Sequence, residues 1–201
     1  MPDIRVCFTK TGKLKYISHL DLQRAIHRML TRSGLPIGYT EGFNPHPRLN
    51  IALPLSIYQE GERELFDFRL TKEVPISEVE EKLKSSTFPE MEIVGVSVAV
   101  GKLHTKRAVW RIEMTSCISE EEFARAFDGE MNVIKRTKNG EKLVDISPMT
   151  KFLSVEKHED RMIARVELPA AGNDYLNPSY VTAFFGEKVN VHRVVRENIV
   201  F

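Results

Sequence analysis

The sequence predicts an α+β fold made of two ferredoxin-like units in tandem, with antiparallel sheets and an extra hairpin in the second unit. Three observations carry this. Strand and helix patterns follow the order β-α-β-β-α-β up to Val100; a polar connector, GKLHTKR (Gly101 to Arg107), then interrupts them; and a similar order restarts with four strands between its two helices. The expected units are 1–100 and 108–201. The open sheet face of such a unit is a common platform for RNA or for another domain.

In IRVCFTK (Ile4 to Lys10) the residues Ile4, Val6 and Phe8 recur with period two, which marks a half-buried strand. Ser18 with Asp21 three residues on is a capping box in its acidic form, and Ile17 with Leu22 fits the hydrophobic staple around it. The helix they open runs to about Ser33, where Gly34 and Pro36 stop it. Leu22, Ala25, Ile26, Met29 and Leu30 form its apolar stripe, and Arg24, Arg28 and Arg32 its basic one. A short strand near Ile37, the GFNPHPR loop and an extended run from Leu49 to Leu53 follow. ELFDFRL (Glu64 to Leu70) alternates as a strand, ISEVEEKLKSS (Ile76 to Ser86) reads as an amphipathic helix, and EIVGVSVAV (Glu92 to Val100) as a closing strand.

After the connector, AVWRIEMTS is a strand, and Ser119 with Glu122 caps a short helix through Phe127. Asn139-Gly140 joins VIKRTK to EKLVDIS as a tight hairpin, and a second hairpin turns near Glu159-Asp160. A short helix from Pro178 to Phe185 and the strand VNVHRVVRENIVF complete the unit. No sequence repeat ties the halves, so duplication rests on element order alone.

A chain of 201 residues with 42% hydrophobic and 28% charged residues has the composition of a folded globular protein rather than a disordered one. Its apolar runs fall far short of the roughly 18 residues that span a bilayer, and Met1-Pro2-Asp3 opens no signal peptide. Cys7 and Cys117 share no C-x-x-C spacing, and both are expected as buried, reduced thiols. The expected localisation is cytoplasmic, with no membrane contact. A net charge of +1 hides an asymmetry: residues 1 to 50 hold eight Lys and Arg against three Asp and Glu, and residues 51 to 100 hold five against ten. The basic quarter reads as an anion-binding footprint, or else the two quarters neutralise each other within one domain.

Polar and basic residues crowd into two segments without apolar periodicity: FTKTGKLKYISHLD (Phe8 to Asp21) and EGFNPHPRLNIALPL (Glu41 to Leu55). On these the chain resembles the radical-SAM-linked family, small proteins encoded beside, or fused to, radical S-adenosylmethionine proteins. The family's F-T-K-x-G-x-L-x-x-I-S-H-L-D and G-F-N-P-H-P motifs both stand intact here. The likeness is dense over the first seventy residues or so and thinner later, where it covers the basic hairpin from Lys135 to Pro148. It implies partnership with a radical S-adenosylmethionine enzyme, and with RNA, because such genes tend to lie near those for ribosome and RNA-processing proteins. It implies no particular reaction.

Ser18, His19 and Asp21 first of all describe a helix cap; His19 and Asp21 stand too close in sequence for a hydrolase triad unless a third group arrives from elsewhere in the chain. The free N–H groups of that helix start, beside Lys10, Lys13 and Lys15, form a candidate phosphate site, with Arg24 one turn on. In the loop, Phe43 is a candidate for base stacking, and Asn44, His46 and Arg48 for reading a base edge or phosphate; ordering of the loop's own backbone is the plainer alternative. His19, Asp21 and His46 have no paired metal-ligand spacing, so no metal and no cofactor is called for. Lys135, Arg136, Lys138 and Lys142 make a second basic patch, on a hairpin whose lysines equally serve to block edge pairing.

No P-loop, G-x-G-x-x-G, H-E-x-x-H or cysteine triplet is present, so the chain is not itself the radical enzyme. The expected function is that of a non-catalytic, RNA-directed accessory protein of such an enzyme. One alternative is a metal-independent ribonuclease with His19 or His46 as acid or base. The architecture is similar to that of CRISPR repeat-processing endoribonucleases, but their C-terminal glycine-rich loop is missing, with only Gly172 and Gly186 in that region. The other alternative is a protein adaptor whose two motifs dock the partner enzyme.

Overall fold

The computed structural model describes residues 2–137, 140–171 and 174–201. The chain is α+β with antiparallel sheets, and it divides into two compact units, Met1–His104 and Thr105–Phe201.

In the first unit, β1 (Asp3–Lys10) leads through a 3-10 turn (Gly12–Tyr16) into α1 (His19–Arg32); β2 (Leu49–Ile51), β3 (Gln59–Arg69), α2 (Ile76–Ser86) and β4 (Ile93–Val98) follow. The strands lie in the order β4-β1-β3-β2, every neighbour antiparallel. Register follows the apolar pattern: Val6 sits opposite Phe66 and Ile4 opposite Phe68, so the even residues of both strands turn to one face. That face, with Leu22, Ile26, Met29 and Leu30 of α1 and Val79 and Leu83 of α2, forms one continuous core. Phe66 is its centre, with ring centroids 5.4 Å from Phe8 and 6.1 Å from Phe68.

Two boundaries differ from those expected. The strand read from Glu64 starts at Gln59, because β1 continues past Phe8 through a register shift and pairs Lys10 with Gly61, in a polar stretch that shows no alternation. The extended run expected from Leu49 to Leu53 shortens to three residues, and the short strand expected near Ile37 is reduced to single bridges, Ile37 with Leu70 and Tyr39 with Pro47. Pro45 and Pro47 keep the pairing at Tyr39 to one bridge, since proline donates nothing to a ladder.

The second unit contains β5 (Arg107–Ser116), α3 (Glu120–Arg125), β6 (Asn132–Thr137), β7 (Gly140–Asp145), β8 (Lys151–His158), β9 (Arg161–Pro169), α4 (Ser179–Phe185) and β10 (Val189–Val200). Its sheet runs β10-β5-β9-β8, again antiparallel throughout, while β6 and β7 pair only with each other. Trp110, Ile112 and Met114 alternate inward on β5 against Ala164, Val166 and Leu168 of β9. Phe123 stacks on Phe185 at 4.3 Å, fixing α3 to α4.

Cys7 is half-buried on the outward face of β1, and burial pushes its thiol up in pKa. Cys117 is exposed, against expectation, because β5 ends at Ser116 and the chain turns outward there. Among the described residues no helix is long and apolar enough to cross a membrane.

Candidate functional site

The start of α1 is a helix cap in full. The Ser18 hydroxyl accepts from the Asp21 amide at 3.1 Å and donates to the Asp21 carboxylate at 2.7 Å. Asp21 also pairs with Arg24 at 3.1 Å, and these contacts, the Ser18 hydroxyl first, hold its carboxyl below the usual carboxylate range. A carboxylate therefore already stands where the sequence leaves room for a phosphate. Ser18→Ala should cost about 1 kcal/mol of stability through loss of this cap, read as a lower urea midpoint with unchanged slope; no shift in midpoint would show the cap to be dispensable.

Three of the four expected phosphate contacts are engaged inside the protein. Lys10 is fully buried, and its ammonium donates to the Gln59 carbonyl at 3.3 Å. As the next even residue after Ile4, Val6 and Phe8 it turns inward with them, so it leaves the set of ligand contacts. Lys15 lies 3.5 Å from the buried Glu60, and Arg24 is held by Asp21. Lys13 is exposed and makes no ion pair among the described residues; its backbone amide donates to Glu90. Arg5 with Asp67 and Lys15 with Glu60 join bases of the first quarter to acids of the second, so part of the sequence-level asymmetry is neutralised within the unit.

The GFNPHPR segment is a closed, pinned loop. Thr40 N–H donates to the His46 carbonyl at 2.9 Å, His46 N–H to the Thr40 hydroxyl at 3.2 Å, and Arg48 N–H to the Gly38 carbonyl at 2.9 Å. The Arg48 guanidinium donates to the Tyr39 carbonyl at 3.0 Å and reaches Glu41 at 3.6 Å. The His46 Nδ1 lies 3.2 Å from both the Thr40 hydroxyl and the Asn44 carbonyl. At the tip Gly42 takes φ +120°, a value that suits glycine, and Phe43 projects fully into solvent with Asn44 exposed beside it.

The two motifs do not meet where the sequence reading joined them. The His46 ring packs on His27, at 5.5 Å between centroids, eight residues after His19 and so about 12 Å further along the helix axis. His46 and Arg48 line a cavity of about 760 Å³ that does not include His19, Asp21 or Lys13. No acid–base pair of His19 and His46 is thereby assembled, and no group of three His, Cys, Asp or Glu side chains placed to hold a metal occurs among the described residues.

Burial holds His19 below the ordinary imidazole range, and His27 likewise, with His46 beside it as a lesser cause. Both favour the neutral ring in the folded state. The unfolded chain therefore takes up protons first as pH falls below about 6.5, and the stability present above that pH is lost as pH drops through the folded values. The melting temperature should fall between about pH 7 and pH 5, and His27→Gln should flatten part of the decline. An unchanged slope in the variant would remove His27 from this account.

Sequence reasoning missed an aromatic pair. The Tyr16 and Tyr58 rings meet edge to face at 5.8 Å, both largely exposed, and the Lys15 ammonium lies 5.3 Å from the Tyr16 centroid. Tyr58 adopts φ +71°, a conformation that costs a non-glycine residue on the order of 1 kcal/mol, and its amide donates to the Lys15 carbonyl at 2.7 Å. Exposed Leu20 and Ile57 adjoin the pair in sequence. Tyr16 lay inside the first motif and was legible as a candidate; nothing in SIYQEG marks Tyr58.

In the second basic patch, Arg136 pairs with Glu141 at 3.0 Å, the Lys135 ammonium lies 5.9 Å from the Tyr180 ring, and Lys142 stands opposite Lys135 across the hairpin. Lys138 and the turn residue Asn139 lie outside the described residues. Exposed Ile134 and Leu143 face each other on the opposite side of the same hairpin.

No curated protein matches the chain. Among solved structures it is similar to a chain of a Cbf5-Nop10-Gar1 complex, with a TM-score of 0.51 and 11% identity over 98% of this chain and 48% of that one. The chain thus spans about half the length of that relative, and the likeness is one of fold alone. An unknown protein from Galdieria sulphuraria aligns over 100% of this chain and 99% of its own, but at 12% identity and a TM-score of 0.29. The sequence profile described as "Uncharacterized protein conserved in bacteria (DUF2344)" matches residues 3–178. The chain belongs to that DUF2344 family.

Proposed function

We propose that the chain is a non-catalytic, RNA-directed accessory protein that works in the cytoplasm with a radical S-adenosylmethionine enzyme, and we read both units as ferredoxin-like. The β-α-β-β-α-β order and the antiparallel strand orders β4-β1-β3-β2 and β10-β5-β9-β8 support the second statement, the β6–β7 hairpin being an insertion in the later unit. The partner enzyme rests on the two intact sequence motifs.

Phe43 carries the RNA reading. A fully exposed phenylalanine contributes nothing to the core, yet the loop beneath it is fixed by backbone and side-chain hydrogen bonds on both flanks. A rigidly held aromatic face is what stacks on an unpaired base, a contact worth about 1–3 kcal/mol. Asn44 beside it offers both donor and acceptor to a base edge. Lys13 supplies an unpaired cation for the backbone, and Arg28, exposed on α1, a second.

The test is fluorescence anisotropy with a labelled single-stranded RNA across a salt series. Two to three phosphate contacts predict a loss of roughly threefold to fourfold in affinity for each doubling of salt, and Lys13→Ala should lower the slope by about 0.7. Absence of salt-dependent RNA binding would sink this reading.

One observation favours a second reading. Tyr16 of the first motif and Tyr58 form an exposed aromatic pair, with exposed Leu20 and Ile57 near them in sequence, which suits docking of a protein. If the chain binds its radical partner but no RNA, with a shallow salt dependence, the adaptor function holds instead.

A further inference from the structure

The cavity beside the GFNPHPR loop joins His46 and Arg48 of the second motif to the connector around Lys102, which neither motif includes. Its volume of about 760 Å³ lies within the range of small-molecule sites. It is walled by Asp3 of β1, Leu49 of β2, Asp67 and Arg69 of β3, the loop, and the connector from Ala99 to His104, all within the first unit.

Each acid in the wall already has a guanidinium. Asp3 is bound by Arg69 through two hydrogen bonds of 2.7 and 2.8 Å, and Asp67 by Arg5 through two of 2.9 Å. Arg69 holds the Asp3 carboxyl below the usual carboxylate range, so it stays ionised and paired. Glu41, almost wholly exposed, leans on Arg48 at 3.6 Å. What remains uncompensated is cationic or neutral: the Lys102 ammonium and the imidazoles of His46 and His104 make no ion pair among the described residues.

The backbone that carries Lys102 and His104 is held in place. Arg5 donates to the Gly101 carbonyl at 3.1 Å, Gly101 turns the connector at φ +69°, and His104 N–H donates to the Lys102 carbonyl at 3.0 Å. Leu49, Ala99 and Leu103 supply apolar wall between the polar groups. One ammonium left over, Lys102, with imidazoles able to donate to an anion, and the apolar side chains of Leu49 and Leu103 fit a ligand with an anionic head and a flat body whose faces are apolar.

We propose that this cavity binds a nucleoside monophosphate unit, its phosphate on Lys102, His104 and His46 and its base against Leu49 and Leu103. This goes beyond the RNA reading, with which it shares only the loop, since the unit can be a free nucleotide or part of an RNA strand.

The experiment is isothermal titration of the whole chain with 5′-AMP, adenosine and inorganic phosphate, repeated for Lys102→Glu. AMP should bind at least about tenfold more tightly than adenosine, and Lys102→Glu should abolish that advantage while melting like the wild type, since Lys102 is exposed. Competition of AMP by an unlabelled single-stranded RNA assigns the unit to RNA, and absence of competition assigns it to a free nucleotide; either result upholds the site. Equal binding of AMP and adenosine, no binding of either, or indifference to Lys102→Glu overturns it. RNA that binds the Lys102→Glu variant normally, with no AMP bound, sinks the cavity alone; AMP bound with no RNA sinks the RNA reading alone.

Discussion

Phe66→Ala should destabilise the first unit by about 3–5 kcal/mol, the cost of removing a fully buried phenylalanine and leaving a void. The ring is 0% exposed and lies between Phe8 and Phe68, so no neighbour from solvent can fill the space. Domains are stable by only about 5–15 kcal/mol, so this is a large fraction of the total. Far-UV circular dichroism in urea is the appropriate readout, because the chain's only tryptophan, Trp110, lies in the second unit. Phe43→Ala serves as the control: it removes the same atoms from a fully exposed site and should shift the midpoint negligibly. A Phe66→Ala loss under about 1 kcal/mol would mean that the core is organised elsewhere.

That contrast between two phenylalanines shows where sequence reasoning succeeds. Phe66 and Phe68 alternate with charged Asp67 and Arg69, and the alternation alone places them inside, just as Ile4, Val6 and Phe8 define the inner face of β1. The same rule applied one step further would have placed Lys10 inside. By composition Lys10 instead reads as part of a basic patch with Lys13 and Lys15, but the strand's period outranks local composition. Helix ends were legible because their chemistry is local: Ser18 and Ser119 cap as expected, and Gly34 follows α1 in a left-handed conformation.

Spacing along a chain does not say which helical turn a loop will touch. The GFNPHPR loop reaches α1 at His27, not at His19, because its ends are set by the Gly38 bridge to Arg48 and by β2 pairing with β3. Lys102 and His104 were hidden for a related reason: a short polar connector has no periodicity, and its residues gain meaning only when Arg5 ties Gly101 back to the sheet. The charge asymmetry of the first hundred residues was legible, but its partial offset by Arg5–Asp67 and Lys15–Glu60 depends on strand pairing.

Phe43→Ala should lower affinity for single-stranded RNA by roughly fivefold to 150-fold, the equivalent of 1–3 kcal/mol of base stacking. Phe43→Trp should keep or raise affinity, because stacking needs a π-face and not a particular ring. The salt slope should stay that of the wild type in both variants, since neither changes a phosphate contact. Asn44→Ala should instead weaken some sequences more than others, as loss of a base-edge contact does. The Tyr16→Ala, Tyr58→Ala double variant separates this from docking of the partner enzyme: the RNA reading predicts no more than a small effect on RNA, the adaptor reading a loss of co-purified partner. A Phe43→Ala chain that binds RNA as tightly as the wild type removes the stacking role, and with it the observation on which RNA recognition rests.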